Sequence, residues 1–384
     1  MNADALAPEL GGNSLFRYSP ALVFIAIAIA DSQRWADPDL WGHVRFGQAV
    51  LAQGHLILRD PYSYSAPGHL WLNHEWLSEV LMAAAYNGFG IIGLKLWKFA
   101  CSTAIVSFLA LGLGETKAST FVQFCILMLA GLALALQLQF RPQLFTYALL
   151  SGLLALLARY NYRGHAPLWI AIPMLALWAN LHGGFIMGLA ALGIFSTVVF
   201  AQDLYQGRGI RRALTLFAIT GASALATVAT PYGIGTWEAV WHALRNPYTR
   251  QVVKDWQPMH RTFLAMWHEV PGGTYYIVIT VAMFAALAIS FVQTPHEDLP
   301  MVAIAAVMFA AAVIAIRNLS VSVIATTIPA AHHIELALHA RRARLGLPQP
   351  IAPKAWPGAN QYVVVAAAIA VLGGSGLFSR KLKT

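Results

Sequence analysis

Residues 91–114 read "IIGLKLWKFACSTAIVSFLALGLG", an apolar run whose only charged side chains are Lys95 and Lys98. A helix needs about 20 predominantly apolar residues to cross a bilayer, so this segment is long enough to do so. Comparable runs occupy residues 120–140 and 274–293. Lipid cannot satisfy an unpaired backbone amide, so such runs predict helices. The sequence therefore predicts an all-α polytopic membrane protein.

The composition supports the same class. The chain has 384 residues, of which 58% are hydrophobic and 11% charged, and its mean hydropathy is +0.60. This apolar content exceeds what one soluble core requires. The net charge of +9 indicates cytoplasmic Lys and Arg or contacts with anionic membrane lipids. No segment resembles a nucleic-acid-binding module, and no nucleic-acid partner is expected.

We predict about eleven transmembrane helices in one transmembrane domain, residues 1–384. Two long connections, residues 32–89 and 231–273, are interpreted as the first and second outer loops. The first is expected to carry interfacial helices, because residues 76–88 are too short an apolar stretch to span comfortably. The predicted spans are 17–31, 90–113, 119–139, 143–159, 167–181, 183–204, 212–230, 274–293, 299–317, 319–336 and 360–378.

Basic segments divide the connections between two faces. "RYNYRGH" (159–165), "QGRGIRR" (206–212) and "HARRARLG" (339–346) fall on one side, which the positive-inside rule assigns to the cytoplasm. Both long loops and most polar helix ends then lie at the outer face. Polar groups near a membrane are costly and tend to mark function. The sequence therefore predicts a functional site at the outer face.

The stretch "DPDLWGHVRFG", residues 37–47, follows the first apolar run. A helix beginning near Asp39 would place that carboxylate and His43 on one face, because they are four residues apart. Leu40 and Val44 would then turn toward lipid. The spacing predicts an interfacial helix with one chemically active face.

Two carboxylates of this stretch are the candidate catalytic groups. Asp37 precedes a proline, which favours a helix N-cap role. Asp39 has no capping role, and a partly desolvated carboxylate can act as general base on a hydroxyl. Together Asp37 and Asp39 form an Asp-x-Asp pair whose oxygens can hold Mg²⁺ or Mn²⁺. The alternative is that Asp39 is a solvated loop charge.

Three further polar residues interrupt apolar runs at the predicted outer face. Arg141 in "QFRPQ" and Arg317 in "AIRNLS" can either snorkel to bulk lipid phosphates or grip one phosphate with a bidentate guanidinium. His182 in "WANLHGG" can bind phosphate, ligate a metal or be solvated. The glycines after it can simply supply a tight turn. These three residues are the candidate donor-phosphate ligands.

The remaining candidates are interpreted as acceptor- or substrate-positioning groups. The first loop contributes His74 and Glu75 in "NHEW". The alternative for Glu75 is that a Glu in a first helical turn only interacts favourably with the helix dipole. Aromatic residues of the same loop suit a membrane-interface belt, and their faces also bind sugars. The positioning candidates are His43, His74, Glu75, Asn180 and Tyr232.

These motifs resemble the C-type (GT-C) integral-membrane glycosyltransferases, and most of all the small bacterial members carrying D-x-D-x-W-x-H. The resemblance covers most of residues 31–260. One departure is that Leu40 follows Asp39, so the Asp-Glu pair of the protein mannosyltransferase-like branch is absent. The matching motifs after the first are "DPYSYS" (60–65), "HEWLSEV" (74–80), "RPQLF" (141–145), "NLHGGF" (180–185), "PYG" (231–233) and, more weakly, "RNLS" (317–320).

The resemblance implies transfer of a sugar from a polyprenyl-phosphate-linked donor to a glycan or lipid acceptor at the periplasmic face of a bacterial inner membrane. It implies that Asp39 or Asp37 is the base or metal positioner. It also implies that Arg141, His182 and Arg317 bind the donor phosphate. Envelope or exopolysaccharide assembly would be the setting.

Two other classes of function stay open. A transporter or flippase of a lipid-linked or anionic substrate would place charges near the bilayer midplane and often show two related halves. The sequence has no evident internal repeat, and its polar residues cluster at helix ends. A non-catalytic GT-C-like partner in polysaccharide assembly is the third class.

Overall fold

The computed structural model is all-helical. Among the residues that it describes there are thirteen α-helices and no strand, apart from one isolated bridge between Arg59 and Leu70. The predicted all-α class is confirmed. The described residues are 22, 25, 26, 28–30, 37–135, 137–269, 274–294 and 297–348.

Helices occupy most of the described residues of the predicted spans. They are α1 (Leu40–Gln53), α2 (Trp76–Gly114), α3 (Thr120–Ala135), α4 (Gln143–Arg163), α5 (Ala171–Leu181), α6 (Phe185–Tyr205), α7 (Arg211–Ala226), α8 (Gly235–Arg245), α9 (Pro247–Val252), α10 (Met259–Glu269), α11 (Tyr275–Phe291), α12 (Leu299–Ile314) and α13 (Leu319–Arg344).

Four described segments are long and apolar enough to cross a membrane, namely α2, α4, α6 and Ile316–Arg344, which includes α13. Shorter apolar helices are α3, α11, α12 and the segment Leu168–Leu181. This pattern is compatible with a membrane protein. Of the predicted spans, 17–31 lies mostly and 360–378 wholly outside the described residues.

Helix α2 contains a sharp break at Gly90. This residue has φ 61° and ψ −142°, a conformation that favours glycine. A Cβ atom on Gly93 would lie 1.9 Å from a carbonyl oxygen of the segment before the break, so the two parts of the helix meet closely. Leu94 packs in the same apolar cluster as α1. Residues on both sides of the break, Met82 and Leu94, therefore belong to the cluster that includes the apolar face of α1.

The apolar face of α1 packs on protein. Leu40 and Val44 are 0% and 3% exposed and contact a cluster that includes Met82 of α2. A Cβ atom on Gly47 would lie 2.0 Å from the carbonyl oxygen of Glu79, so the two helices touch at this position. The expectation that Leu40 and Val44 face lipid is wrong, because α2 folds back and covers them.

Polar side chains gather at two ends of the bundle, which α4 connects. Its 21 residues separate Arg141, just before the helix, from Arg163 at its last turn by about 30 Å. We call the end with Arg141 the site end. At the opposite end Arg163 binds Glu115 at 2.8 Å, and Asn161 binds Asp298. The predicted cytoplasmic segment 159–165 belongs to this opposite end.

Candidate functional site

A cavity of about 400 Å³ lies at the site end. Its walls come from five separate segments of the chain, because helix ends far apart in sequence meet there. Phe46 of α1 adds an aromatic ring that also contacts Tyr62 and Trp71 of the first loop. The charged and titratable side chains that line the cavity are Asp39, His43, Glu75, Arg141, His182 and Arg317.

Arg141 binds three carboxylates at once. Its Nε lies 3.0 Å from Asp37 Oδ1, its Nη2 lies 2.9 Å from Asp39 Oδ2, and its Nη1 lies 3.1 Å from Asp255 Oδ2. Burial lowers the pKa of Arg141, but these carboxylates raise it above its ordinary value. Each guanidinium nitrogen thus has an anionic partner, and a donor phosphate would have to share or replace one of them.

The two predicted catalytic aspartates occupy different environments. The Asp37 side chain is 4% exposed and is not among the cavity-lining residues, whereas that of Asp39 is 60% exposed and lines it. The backbone N–H of Asp39 donates to Asp37 Oδ1 at 2.9 Å. Asp39, and not Asp37, is the N-cap residue of α1, and its side chain makes no capping hydrogen bond. The capping hydrogen bond at the start of α1 nevertheless comes from Asp37, whose Oδ1 accepts the N–H two residues on, as the sequence predicted.

Beside the cavity, His43 meets two glutamates. Its Nδ1 lies 2.9 Å from Glu79 Oε1 and 3.9 Å from Glu75 Oε2. Glu79 is only 2% exposed, and its second oxygen accepts a hydrogen bond from the Asn73 side-chain amide. Burial lowers the pKa of His43, but the hydrogen bond to Glu79 and the charges of both glutamates raise it above its ordinary value.

His182 has a defined tautomer. Its Nδ1 accepts the backbone N–H of Gly184 at 2.9 Å, so the ring proton sits on Nε2, which lies 3.3 Å from Glu75 Oε1. Thr146 Oγ1 accepts from Trp178 Nε1 at 2.9 Å and lies 2.8 Å from His182 Nδ1, to which it donates. Burial and neighbouring positive charges hold the pKa of His182 well below its ordinary value. A neutral His182 therefore presents an N–H to Glu75.

The glycines after His182 allow this packing and are more than a turn. A Cβ atom on Gly184 would lie 2.3 Å from Thr146 Oγ1, and one on Gly183 would lie 3.1 Å from a ring carbon of His74. A side chain at Gly184 would therefore separate the imidazole from the threonine hydroxyl that holds it.

Arg317 differs from Arg141 in its surroundings. It lies in a single 3₁₀ turn, Ile316–Asn318, between α12 and α13. Its guanidinium carbon lies 4.4 Å from the centre of the Trp256 ring, within cation–π distance. Among the described residues, no carboxylate lies within ion-pair distance of this guanidinium. Arg317 therefore brings a cation to the cavity that no described carboxylate neutralises.

His74 and Tyr232 flank the site without lining the cavity. His74 Nε2 lies 3.8 Å from Glu75 Oε1, so a third imidazole borders this carboxylate. Burial of the Tyr232 hydroxyl raises its pKa, and the charge of Glu79 raises it further. Both side chains are close enough to shape the electrostatics around Glu75 and Glu79.

Asn180 connects chain segments behind the cavity. Its Oδ1 accepts from Trp76 Nε1 at 3.2 Å, and its Nδ2 donates to the carbonyl oxygen of Ala229 at 2.9 Å. One residue later, the carbonyl oxygen of Leu181 accepts from the Ser78 hydroxyl. Asn180 thus fixes the start of α2 against the end of α5, and it is not among the residues that line the cavity.

Sequence reasoning missed two site residues, Glu79 and Asp255. Glu79 follows Glu75 by four residues, so their shared helix face was a signal that could have been used. Asp255 lies 114 residues from its partner Arg141 and has no local signal. Only the packing of the second outer loop, residues 231–273, brings it to the site.

Comparisons with protein-family models, with curated proteins and with solved structures gave no match.

Proposed function

We propose that this chain is a GT-C-like membrane glycosyltransferase that moves a sugar from a polyprenyl-phosphate-linked donor to a glycan or lipid acceptor. The observation that carries the proposal is one cavity in which the side chains of five segments meet. Its volume of about 400 Å³ falls within the usual range for small-molecule sites, about 300–1,000 Å³. The cavity is therefore large enough to hold one sugar unit and its phosphate.

The transfer needs a base and a cation on opposite sides of the reacting carbon. Asp39 is the base in this proposal, because it reaches the cavity while Asp37 is buried beneath it. It removes the proton of the acceptor hydroxyl, whose oxygen then bonds to the anomeric carbon of the donor sugar. The bond from that carbon to the phosphate oxygen breaks, and the oxygen leaves with the electron pair.

The leaving phosphate gains negative charge, which a fixed cation stabilises. Arg317 suits this role best, since Trp256 orients its guanidinium and no described carboxylate neutralises it. Arg141 holds Asp37, Asp39 and Asp255, so its main task in this proposal is to position the base. Phe46 at the cavity wall can stack on a sugar face.

The setting in this proposal is the periplasmic face of a bacterial inner membrane, in envelope or exopolysaccharide assembly. The support is the segregation of polar groups. The cavity and the charged side chains that line it lie at the site end, whereas segment 159–165 with its arginines lies at the opposite end. The positive-inside rule assigns the latter to the cytoplasm.

The test is transfer by the full chain in lipid vesicles. Vesicles would receive a panel of polyprenyl-phosphate monosaccharides with glycan and lipid fractions from envelope preparations. Release of polyprenyl phosphate would be measured by mass spectrometry. We expect release with at least one donor and a loss of about 100-fold or more in Asp39→Asn, because proton transfer contributes at least that much. Arg317→Gln should also lose activity.

Glu238→Gln is the matched control, because this exposed carboxylate of α8 is not among the cavity-lining residues and should leave release unchanged. Full activity in a folded Asp39→Asn protein would overturn the base assignment. Movement of an intact donor across the vesicle membrane without release would favour the transporter class. A chain that neither transfers nor transports would leave the non-catalytic partner as the better hypothesis.

A further inference from the structure

We propose that His43, Glu75 and Glu79 form a binding site for one divalent first-row transition metal, with Mn²⁺ and Zn²⁺ as its candidate occupants. This group differs from the Asp37 and Asp39 pair that the sequence indicated. Its existence is independent of glycosyl transfer, and only a part in catalysis would rest on the proposed function.

His43, Glu75 and Glu79 lie close enough together to share one ion. The three residues offer one imidazole nitrogen and two carboxylate oxygens, all within 4.8 Å of one another. Ligand atoms that share a first-row metal are about 3 to 4 Å apart, because each bond is about 2 Å long. Small rotations of the side chains would bring all three atoms onto one ion. His43 and Glu75 line the cavity, so further coordination positions would open toward a substrate or water.

The negative charges of Glu75 and Glu79 also favour a bound cation. Glu79 is 2% exposed and Glu75 is half-buried, and among the described residues their charged or titratable contacts are histidines. No described lysine or arginine forms an ion pair with either carboxylate. Buried charges are normally paired or bound to metals, because desolvating an ion is expensive. A divalent cation would balance the two negative charges.

Further hydrogen bonds hold the two glutamates in place. Carboxylates and imidazoles that bind metals are usually held by further hydrogen bonds. Here Asn73 donates to the second oxygen of Glu79. His182, with its proton on Nε2, faces Glu75 at 3.3 Å and is itself fixed by the backbone of Gly184. Both glutamates are therefore oriented before any ion arrives.

The donor set also separates this site from the aspartate pair. Asp37 and Asp39 both contact the guanidinium of Arg141, and a divalent cation between them would meet that positive charge. Mg²⁺ and Ca²⁺ prefer sites made wholly of oxygen. One imidazole nitrogen with carboxylates favours Mn²⁺ or Zn²⁺.

The test is direct titration of the full chain, purified in detergent and stripped with EDTA. Isothermal calorimetry would follow Mn²⁺ and, separately, Zn²⁺, and electron paramagnetic resonance would count free Mn²⁺. We expect one ion per chain and a thermal midpoint that rises with metal concentration. Glu75→Gln and Glu79→Gln should each weaken binding by at least about tenfold.

Because Glu79 is buried, its variant must first show an unchanged elution volume and helical content. Glu75→Gln and His43→Gln are the safer variants, since both side chains are partly exposed. Glu238→Gln on α8 and Asp39→Asn should keep parental binding.

Equal binding by the parent and by Glu75→Gln would overturn the site. Loss in Asp39→Asn alone would assign the ion to the aspartate pair. Sugar transfer that persists in EDTA by a chain without metal affinity would overturn the site while keeping the proposed function.

Discussion

The two ends of the bundle bury the same residue types in different ways. At the opposite end, Asp298 accepts hydrogen bonds from the Tyr162 hydroxyl and the Asn161 amide, which are neutral donors. At the site end, Asp37 is held by the charged guanidinium of Arg141, and Glu79 is held by an imidazole and an amide. The buried Asp298 is thus bonded by neutral groups, whereas the buried Asp37 and Glu79 each have a partner that carries or can take a charge.

This difference separates structural from functional polarity. Hydrogen bonds from uncharged donors satisfy a buried carboxyl group without creating a strong electric field around it. Charged partners around a cavity make a field that a ligand can use, at a cost in desolvation. The site end should therefore be more sensitive to substitution than the opposite end.

The largest contrast is between two arginines. Arg141→Gln leaves the buried carboxylate of Asp37 without its cation and should lower the free energy of unfolding by about 3 kcal/mol. Arg163→Gln removes an ion pair whose side chains, 30% and 24% exposed, are screened by solvent, and should cost about 1 kcal/mol or less. Titration with a denaturing detergent in mixed micelles measures both. Equal losses would remove the energetic distinction between the two ends.

Two glycines give the next contrast. Gly47→Ala would force a Cβ atom to within 2.0 Å of the Glu79 carbonyl oxygen, so α1 must shift away from α2. We expect a loss of about 2 kcal/mol from overpacking. Gly221→Ala on α7 meets no atom within 4 Å and should be neutral or stabilise by up to about 1 kcal/mol. The same unfolding assay compares them, and a neutral Gly47→Ala would contradict the close approach of the two helices.

Two threonines give a smaller contrast. Thr146→Val leaves Trp178 Nε1 without its acceptor, while His182 Nδ1 keeps the Gly184 N–H, and should cost about 1 to 2 kcal/mol, which Thr146→Ser should largely restore. Thr327 bonds only the Val323 carbonyl of its own helix among described groups, so Thr327→Val should cost less than about 0.5 kcal/mol. If the two valine variants unfold alike, the hydrogen-bonded chain to His182 adds no stability.

The smallest effect is a pH dependence at the opposite end. Burial raises the pKa of Asp298 well above its usual range, although hydrogen bonds from Tyr162 and Asn161 oppose the shift. Folded Asp298 therefore keeps a proton that the unfolded chain loses above about pH 4, and this contribution to stability falls as pH rises toward the folded pKa. Asp298→Asn should flatten the decline in thermal midpoint with rising pH.

Asparagine suits this position, because residue 298 has φ 54° and Asn tolerates the left-handed region. The variant should stay within about 1 kcal/mol of the parent near neutral pH. An unchanged pH slope would mean that Asp298 is ionised in the folded protein.

Much of this arrangement could be predicted from the sequence. Long apolar runs must be helices, and their polar interruptions must lie at helix ends, so the meeting of Arg141, His182 and Arg317 followed from the pattern. The four-residue spacing of Asp39 and His43 predicted their shared face, and both line the cavity.

The rest depends on contacts that no local pattern encodes. An apolar helix face is the same in sequence whether it packs on lipid or on protein, so Leu40 and Val44 were assigned to the wrong partner. An arginine at a helix start looks free until its neighbours are known, and Asp255 reaches Arg141 from 114 residues away. The residues around Glu79 have the pattern of an ordinary helix. Its contact with His43 forms only when α1 packs against α2, and its hydrogen bond from Asn73 depends on how the preceding loop folds.

The break at Gly90 also limits how far one helix can reach. A straight α-helix over Trp76–Gly114, 39 residues, would be about 58 Å long, roughly twice the apolar thickness of a bilayer. The change of direction at Gly90 divides this length, and the part after the break is the one long enough to cross a bilayer by itself. A side chain at position 90 would be strained at φ 61°, so a substitution there should change the angle between the two parts.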